Sequence, residues 1–266
     1  MKTKTTQAVA DETLERYWKH SKSERWSWKN AAYVVSLLGA DTPITHVNER
    51  TIDGLVSIME SKGLAGSTIN RKLATLSKML RHSYRMGYVS RIPSIERKKE
   101  PRGRIRWLRD DEEGQLLQAF RATDLAMYRF VVALLDTGAR TGELLKLTRP
   151  DISSDVMHLW DTKNGRNRSI PLTTRAACAL RDQAGVDHRL FTFTPSRFSK
   201  IWDKVRAGLG MTNDPQFVPH MLRHTCASRL VQRGVDLRVV QEWLGHNSIT
   251  TTMRYSHLSP RQLMSA

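Results

Sequence analysis

The chain has 266 residues, with 43 Lys and Arg against 26 Asp and Glu, a formal net charge of +17 and a pI of about 10.3. That length suits one large or two modest domains, each with a buried core, and the charge points to a polyanionic partner such as nucleic acid. No apolar run reaches membrane-spanning length and no apolar core follows the basic start Met1 to Thr6, which argues against a membrane span or signal peptide and predicts a cytoplasmic, nucleoid-associated protein. The two cysteines, Cys178 and Cys226, sit in helical stretches without CxxC spacing and read as reduced core thiols, with neither a disulfide framework nor a zinc site.

In chain order, Ala8 to His20 reads as an amphipathic helix with Val9, Leu14 and Tyr17 on its apolar side. A second helix begins at Ser23, carries Ala31, Val34, Val35 and Leu38 at helical spacing, and stops at Gly39. Asn48 caps a third, through Leu55, Ile58 and Met59, that stops at Gly63. Ser67 caps a fourth, with Ile69, Leu73, Leu76 and Leu80 along one face. Together these predict a small helical bundle over residues 1–90. The polar face of the fourth helix shows Arg71, Lys72, Lys78, Arg81 and Arg85, all of one sign, which marks it as a candidate DNA-contacting face.

Residues 91–107 hold two prolines, one glycine and seven Lys/Arg, and read as an irregular basic linker. Lys98, Lys99, Arg102 and Arg104 on such a flexible strap are placed to follow a phosphate backbone. Residues 1–107 carry 21 Lys/Arg against 10 Asp/Glu, and residues 108–266 carry 22 against 16, so the shorter region has the larger excess. Beyond the linker, Asp110 to Glu113 match the dipole of a helix start. Another helix runs from Leu125 to Asp136, and after Gly138 a short one runs from Arg140 through Leu147. The pattern then changes. Val156–Trp160 and Arg168–Leu172 read as two strands around an Asn164-Gly165 turn, followed by helices near 173–184 and 196–208. The fold class is mostly α with a small β-hairpin or sheet, in two domains, the second (108–266) α+β.

The chemistry concentrates between His220 and Tyr255. His220 and Arg223 are three apart, so a helix puts them on one face. His246 follows the helix-stop residue Gly245, and Tyr255 comes nine residues later. A guanidinium, two imidazoles and a phenol suit a phosphodiester: Arg grips phosphate oxygens with its planar fork, His donates further hydrogen bonds, and the phenol is a nucleophile. Each residue alone has an ordinary structural explanation; their joint spacing does not.

His-x-x-Arg, then Leu-Gly-His, then Tyr resembles the C-terminal signature of the tyrosine recombinases, the phage-integrase family. Thr137-Gly138-Ala139-Arg140-Thr141-Gly142-Glu143-Leu144 fits that family's upstream arginine motif, and Asp161-Thr162-Lys163-Asn164-Gly165-Arg166 fits its hairpin lysine. The resemblance covers residues 108 to 256 closely. It implies an N-terminal core-binding (SAM-like) bundle and a C-terminal catalytic domain. It further implies a site-specific recombinase in which Tyr255 attacks the scissile phosphate, leaving a 3′-phosphotyrosine and a free 5′-hydroxyl. By the same resemblance, Arg140 and Arg223 stabilise the transition state and His220 and His246 donate. His220 also takes the phenol proton, and Lys163 protonates the leaving oxygen. Glu143 either orients these groups or is a structural ion-pair partner, and His224 is assigned to packing. The expected partners are double-stranded DNA, three further copies in a homotetramer on two DNA sites, and DNA-bending accessory proteins; no metal or other cofactor is expected. So few residues precede the first helix that no arm-binding domain is expected. Integration or excision of mobile DNA is the leading reading, beside an Xer-like resolvase or invertase, a topoisomerase-like enzyme, or a non-catalytic DNA-binding protein on the same scaffold.

Overall fold

The computed structural model describes residues 3–21, 23–100, 105–153, 155–160, 167–183 and 188–259. By its internal packing the chain divides into two units, residues 1–103 and 104–266.

The first unit holds four helices: α1 (Thr6–Tyr17), α2 (Glu24–Leu38), α3 (Glu49–Ser61) and α4 (Gly66–Arg85). The Thr5 hydroxyl accepts from the Ala8 N–H, so α1 opens earlier than its apolar spacing alone indicates. Asn48 caps α3 as expected, accepting from the Thr51 N–H at 3.0 Å. Ser67 does not cap α4. The extended Ala65 supplies the first helical carbonyl, to Thr68 and Ile69, and Ser67 falls inside the first turn. Ile69, Leu73, Leu76 and Leu80 are all buried and share a core with Val9, Ala31, Val34, Ile52, Leu55 and Met59. Ile58, one helical turn from Leu55, faces solvent instead.

The strap is not free over residues 91–100. Its backbone is irregular, yet Arg91 holds Glu49 through two hydrogen bonds at 3.1 and 3.0 Å, and Glu49 also accepts from the Ser94 N–H. The Asn70 side chain reads the backbone of Lys98 from both sides, donating to its carbonyl and accepting from its N–H, each at 2.8 Å. The segment lies so close to α4 that a Cβ on Gly66 would sit 3.3 Å from that of Lys98. Pro and Gly deny this stretch a ladder of its own; side chains from α3 and α4 satisfy its backbone instead. Arg102 and Arg104 lie outside the described residues.

The second unit is built on α5 (Asp110–Thr123), α6 (Leu125–Thr137), α7 (Thr141–Leu144), α8 (Thr174–Arg181), α9 (Pro195–Gly208), α10 (His220–Gln232), α11 (Leu237–Leu244) and α12 (Ile249–Met253). A small antiparallel sheet, in the order β1 (Ile152–Ser153), β2 (Val156–Leu159), β3 (Arg168–Pro171), includes a short first strand that its two-residue length hid in the sequence. Met157 pairs with Ile152 on one side and Ile170 on the other, and Met157 and Ile170 point into the core. Phe130 to Leu135 of α6 is buried throughout, as expected of a central helix. Phe130 meets Phe191 and Phe198 edge-on, at 4.9 and 5.0 Å between ring centroids.

The acids of α5 do more than match a dipole. Glu112 is buried, accepts from the Arg109 N–H at 2.9 Å, and pairs with Arg106, which also reaches Asp214. Glu113 pairs with Arg175 and Arg229. Arg106, expected in the linker, is thereby a fixed part of the second unit. Cys226 is buried, but Cys178 is exposed on α8, contrary to its expected core position; both thiols are free. Among the described residues no helix is long and apolar enough to cross a membrane.

Candidate active site

The site grows from one turn. α6 ends at Gly138, whose φ of +65° is the left-handed conformation that closes helices. A Cβ there would lie 2.8 Å from Leu244 Cδ2 and 3.1 Å from Cys226 Sγ, so glycine is required by both backbone and space. That close approach lets α10 and α11 pack against the turn. The Gly138 carbonyl accepts from Arg223 Nη1 at 2.7 Å, and the Leu244 carbonyl accepts from its Nη2 at 2.5 Å. Arg223 is only 3 % exposed and is held by carbonyls. Burial, then the charges of Arg140 and Arg168, lower its pKa to about 10, and it stays cationic at neutral pH.

Two residues past Gly138, Arg140 opens α7. Glu143 accepts from the Arg140 N–H at 2.9 Å and from Arg140 Nη1 at 2.8 Å, and Arg140 Nη2 reaches the Gly245 carbonyl at 3.4 Å. Glu143 also pairs with Arg168 of β3 at 2.7 Å, and Arg168 donates through Nε to the Trp243 carbonyl. Burial works to raise the Glu143 pKa, but Arg168 and then Arg140 outweigh it and bring the carboxyl to about 2. Glu143 is therefore a fixed anion between two arginines. Sequence reading missed Arg168. Its position 25 residues from Glu143, on a short strand, left no spacing signal.

The histidines fall into two kinds. His220 starts α10 with part of its ring open to solvent; desolvation of the rest, then Arg223, Arg140 and Arg254, lower its pKa. His246 follows Gly245 (φ +64°) and bonds Thr252 Oγ1 through Nδ1 at 2.8 Å. Burial, followed by Arg223 and Arg140, takes it to about 4. Both are neutral at neutral pH. Arg168, Trp243, Gly245 and His246 also line a cleft of about 690 Å³.

Tyr255 is buried, and its hydrogen-bond partner is a residue the sequence assigned to packing. It is 2 % exposed, packed with Ala227, Val231, Val240 and Leu244. Its hydroxyl lies 2.6 Å from Nδ1 of His224, the residue assigned to packing, and not on His220. Arg254 and Arg223 pull its pKa down, as positive surroundings should, but burial is the larger effect and the phenol rises to about 12. His224 is driven to about 3, first by burial and then by His220, Arg254, Arg223 and His246. Lys163 lies outside the described residues. Among the described residues no three His, Cys, Asp or Glu side chains gather as a metal site.

On α4 the five basic residues do not share one fate. Arg71, Arg81 and Arg85 are exposed, whereas Lys72 lies 3.8 Å from the Tyr33 ring centroid and Lys78 4.0 Å from that of Tyr17. Lys98 is paired with Glu60 at 2.7 Å, and Lys99 is exposed.

The sequence model of the phage integrase family matches residues 106–262. A shufflon-specific DNA recombinase of Escherichia coli is 31 % identical over 85 % of this chain and 57 % of its own length. A tyrosine recombinase XerC of Roseiflexus sp. is 30 % identical over 78 % of this chain and 74 % of its own. This chain thus spans little more than half of the first relative and about three quarters of the second. In fold it is similar to the Tn1549 transposon integrase in complex with a circular intermediate DNA (TM-score 0.81, 19 % identity, 98 % of each chain). A lambda integrase tetramer bound to a Holliday junction matches equally well (TM-score 0.81, 19 % identity, 96 % of this chain and 78 % of that one).

Proposed function

Because the chain belongs to the phage integrase family, the tyrosine recombinases, we propose that it is a site-specific recombinase that cuts and rejoins duplex DNA through Tyr255. The Tyr255 oxygen attacks the scissile phosphorus, an Oη–P bond forms, the P–O5′ bond breaks, and the strand keeps a 3′-phosphotyrosine. The link conserves the ester bond, so rejoining needs no ATP. Arg140 and Arg223 stabilise the charge that develops on the nonbridging oxygens, with His220 and His246 as further donors. Lys163 supplies the proton to the departing 5′-oxygen. The observation that carries this reading is the shared anchoring of the two arginines. Arg223 hangs from the Gly138 and Leu244 carbonyls, and Arg140 from Glu143 and the Gly245 carbonyl, beside the tyrosine's own packing partner Leu244. Guanidiniums fixed before substrate arrives need little reorganisation during the reaction.

Residues 1–90 act as the core-binding bundle and 108–266 as the catalytic domain. Exposed Arg71, Arg81 and Lys99 contact phosphates directly, and Lys72, Lys78 and Lys98 add to the positive field from their paired positions. Four copies on two DNA sites perform the exchange, with DNA-bending accessory proteins choosing the partner sites; the lambda integrase tetramer of similar fold supports that assembly. The product is integration or excision of mobile DNA. A second reading, inversion, is favoured by the 31 % identity to the shufflon-specific recombinase.

The test uses nicked duplexes tiled across the DNA that flanks the gene, each releasing a short fragment on cleavage. One of them is expected to trap a denaturant-resistant protein–DNA adduct that maps to Tyr255. Tyr255→Phe abolishes the adduct while DNA affinity stays nearly intact. A duplex bound tightly and never cleaved assigns the chain to non-catalytic DNA binding, and the orientation of joined ends in a two-site plasmid separates integration from inversion.

A further inference from the structure

A buried phenol with its pKa near 12 is protonated at neutral pH, so attack on phosphorus requires something to receive its proton. Among the described residues His224 is the side chain hydrogen-bonded to that hydroxyl, at 2.6 Å through Nδ1. We infer that His224, and not His220, is the catalytic residue that accepts the Tyr255 proton during strand cleavage. This inference rests on the recombinase reading above.

The geometry supplies the path. His224 lies one turn into α10, next to Arg223, and Tyr255 reaches it from the turn after α12. As the Oη–P bond forms, the Oη–H bond breaks and its proton passes along the existing contact to Nδ1. The P–O5′ bond then breaks and the 5′-oxygen takes a proton from the general acid. His220 stands edge-on to His224, 4.8 Å between ring centroids, and has no hydrogen bond to the phenol.

The electrostatics make this acceptor dependent on DNA. The groups that face His224 are Tyr255, His220 and Arg223 on its own helix, His246 after α11, and Arg254 after α12. Among the described residues no carboxylate is one of them. Burial first, and then these neighbours, Arg254 and Arg223 carrying full positive charge among them, keep the imidazole neutral and a weak base in the free protein. A phosphodiester entering between Arg140 and Arg223 offsets that charge and raises the basicity of His224, while the arginines favour the forming phenolate character of Tyr255. Proton transfer is thereby confined to the DNA-bound state.

Two measurements decide it. In the DNA-free protein, the imidazole ¹⁵N shifts of His224 are expected to show the Nε2–H tautomer with Nδ1 as acceptor. An Nδ1–H tautomer would overturn the proposal, because a nitrogen donating to the phenol oxygen cannot take its proton. Single-turnover cleavage is then followed against pH on the duplex that gives the wild-type adduct. His224→Asn keeps an acceptor near the Nδ1 position but no base. It is expected to bind DNA and melt like the wild type and to cleave about 10²–10⁴-fold more slowly, with a rate that rises with pH as hydroxide takes over. Added imidazole restores part of the rate to His224→Ala. His220→Gln lowers the rate without gaining that pH dependence. Wild-type rate and pH profile in His224→Asn, or an equal loss at every pH with no rescue by imidazole, leaves His224 a packing residue. Failure of the wild type to form any adduct instead sinks the recombinase reading itself, so the two failures are distinguishable.

Discussion

The two units use arginine in opposite ways. On α4 of the first, Arg71, Arg81 and Arg85 stand exposed along one face. In the second, Arg106, Arg140, Arg168, Arg175 and Arg229 are each paired with carboxylates, and Arg223 is held by two carbonyls. Net charge by region reflects this only faintly. Exposed arginines gain by releasing counterions from DNA, an affinity that needs little precise placement. Arginines that stabilise a transition state must be held in place beforehand, and each anchoring carboxylate lowers the net charge of its unit. Under the proposed function, the unit with less excess charge is the one that carries the chemistry.

The comparison breaks most visibly at Glu143. Glu143→Gln leaves Arg168 buried without its counterion and is expected to cost about 3 kcal/mol of stability in denaturant unfolding. Adduct formation falls with it as Arg140 loses its anchor. The carboxyl pKa drops from 4.5 unfolded to about 2 folded, so its contribution is complete above pH 4.5 and is lost as pH falls toward 2. The variant lacks that acid-sensitive portion of the stability profile. An unchanged acid profile in Glu143→Gln removes Glu143 as the anchor.

Gly138 comes next. Gly138→Ala forces a side chain into a φ of +65° and against Leu244 and Cys226, at an expected cost of about 2 kcal/mol. Its cleavage rate should fall further than stability alone explains, because the displaced carbonyl is an anchor of Arg223. Gly114→Ala in α5, where a Cβ meets nothing within 4 Å, provides the contrast and should stabilise by about 0.5–1 kcal/mol. Thermal melts with single-turnover rates on both variants separate strain from lost function.

The smallest effects sharpen the other side. Replacing Arg71, Arg81 and Arg85 together by Ala should weaken binding to all duplexes about equally and reduce the slope of log affinity against log salt by about 2–3. Lys98→Ala should change that slope less, and stability by less than about 1 kcal/mol, since its charge is already met by Glu60 at the surface. A loss of about 0.9 from Lys98→Ala alone, the value of one full phosphate contact, makes Lys98 a direct contact of the strap.

Sequence by itself determined what local spacing encodes. The apolar stripe of α4, the cap at Asn48, the central helix α6, the hairpin partners β2 and β3, and the ordered motifs carrying Arg140, Arg223, His246 and Tyr255 are all legible, because period, caps and turn residues act within a few positions. Tertiary structure alone decided which groups meet. Arg223 is held by a carbonyl 85 residues away, Arg168 reaches Glu143 across 25, and the Tyr255 hydroxyl finds His224 across 31. It also decided protonation. The Tyr255 phenol is raised although Arg254 and Arg223 stand near it, because burial of the ring outweighs them. Desolvation depends on what surrounds a group in every direction, and one chain direction does not record that.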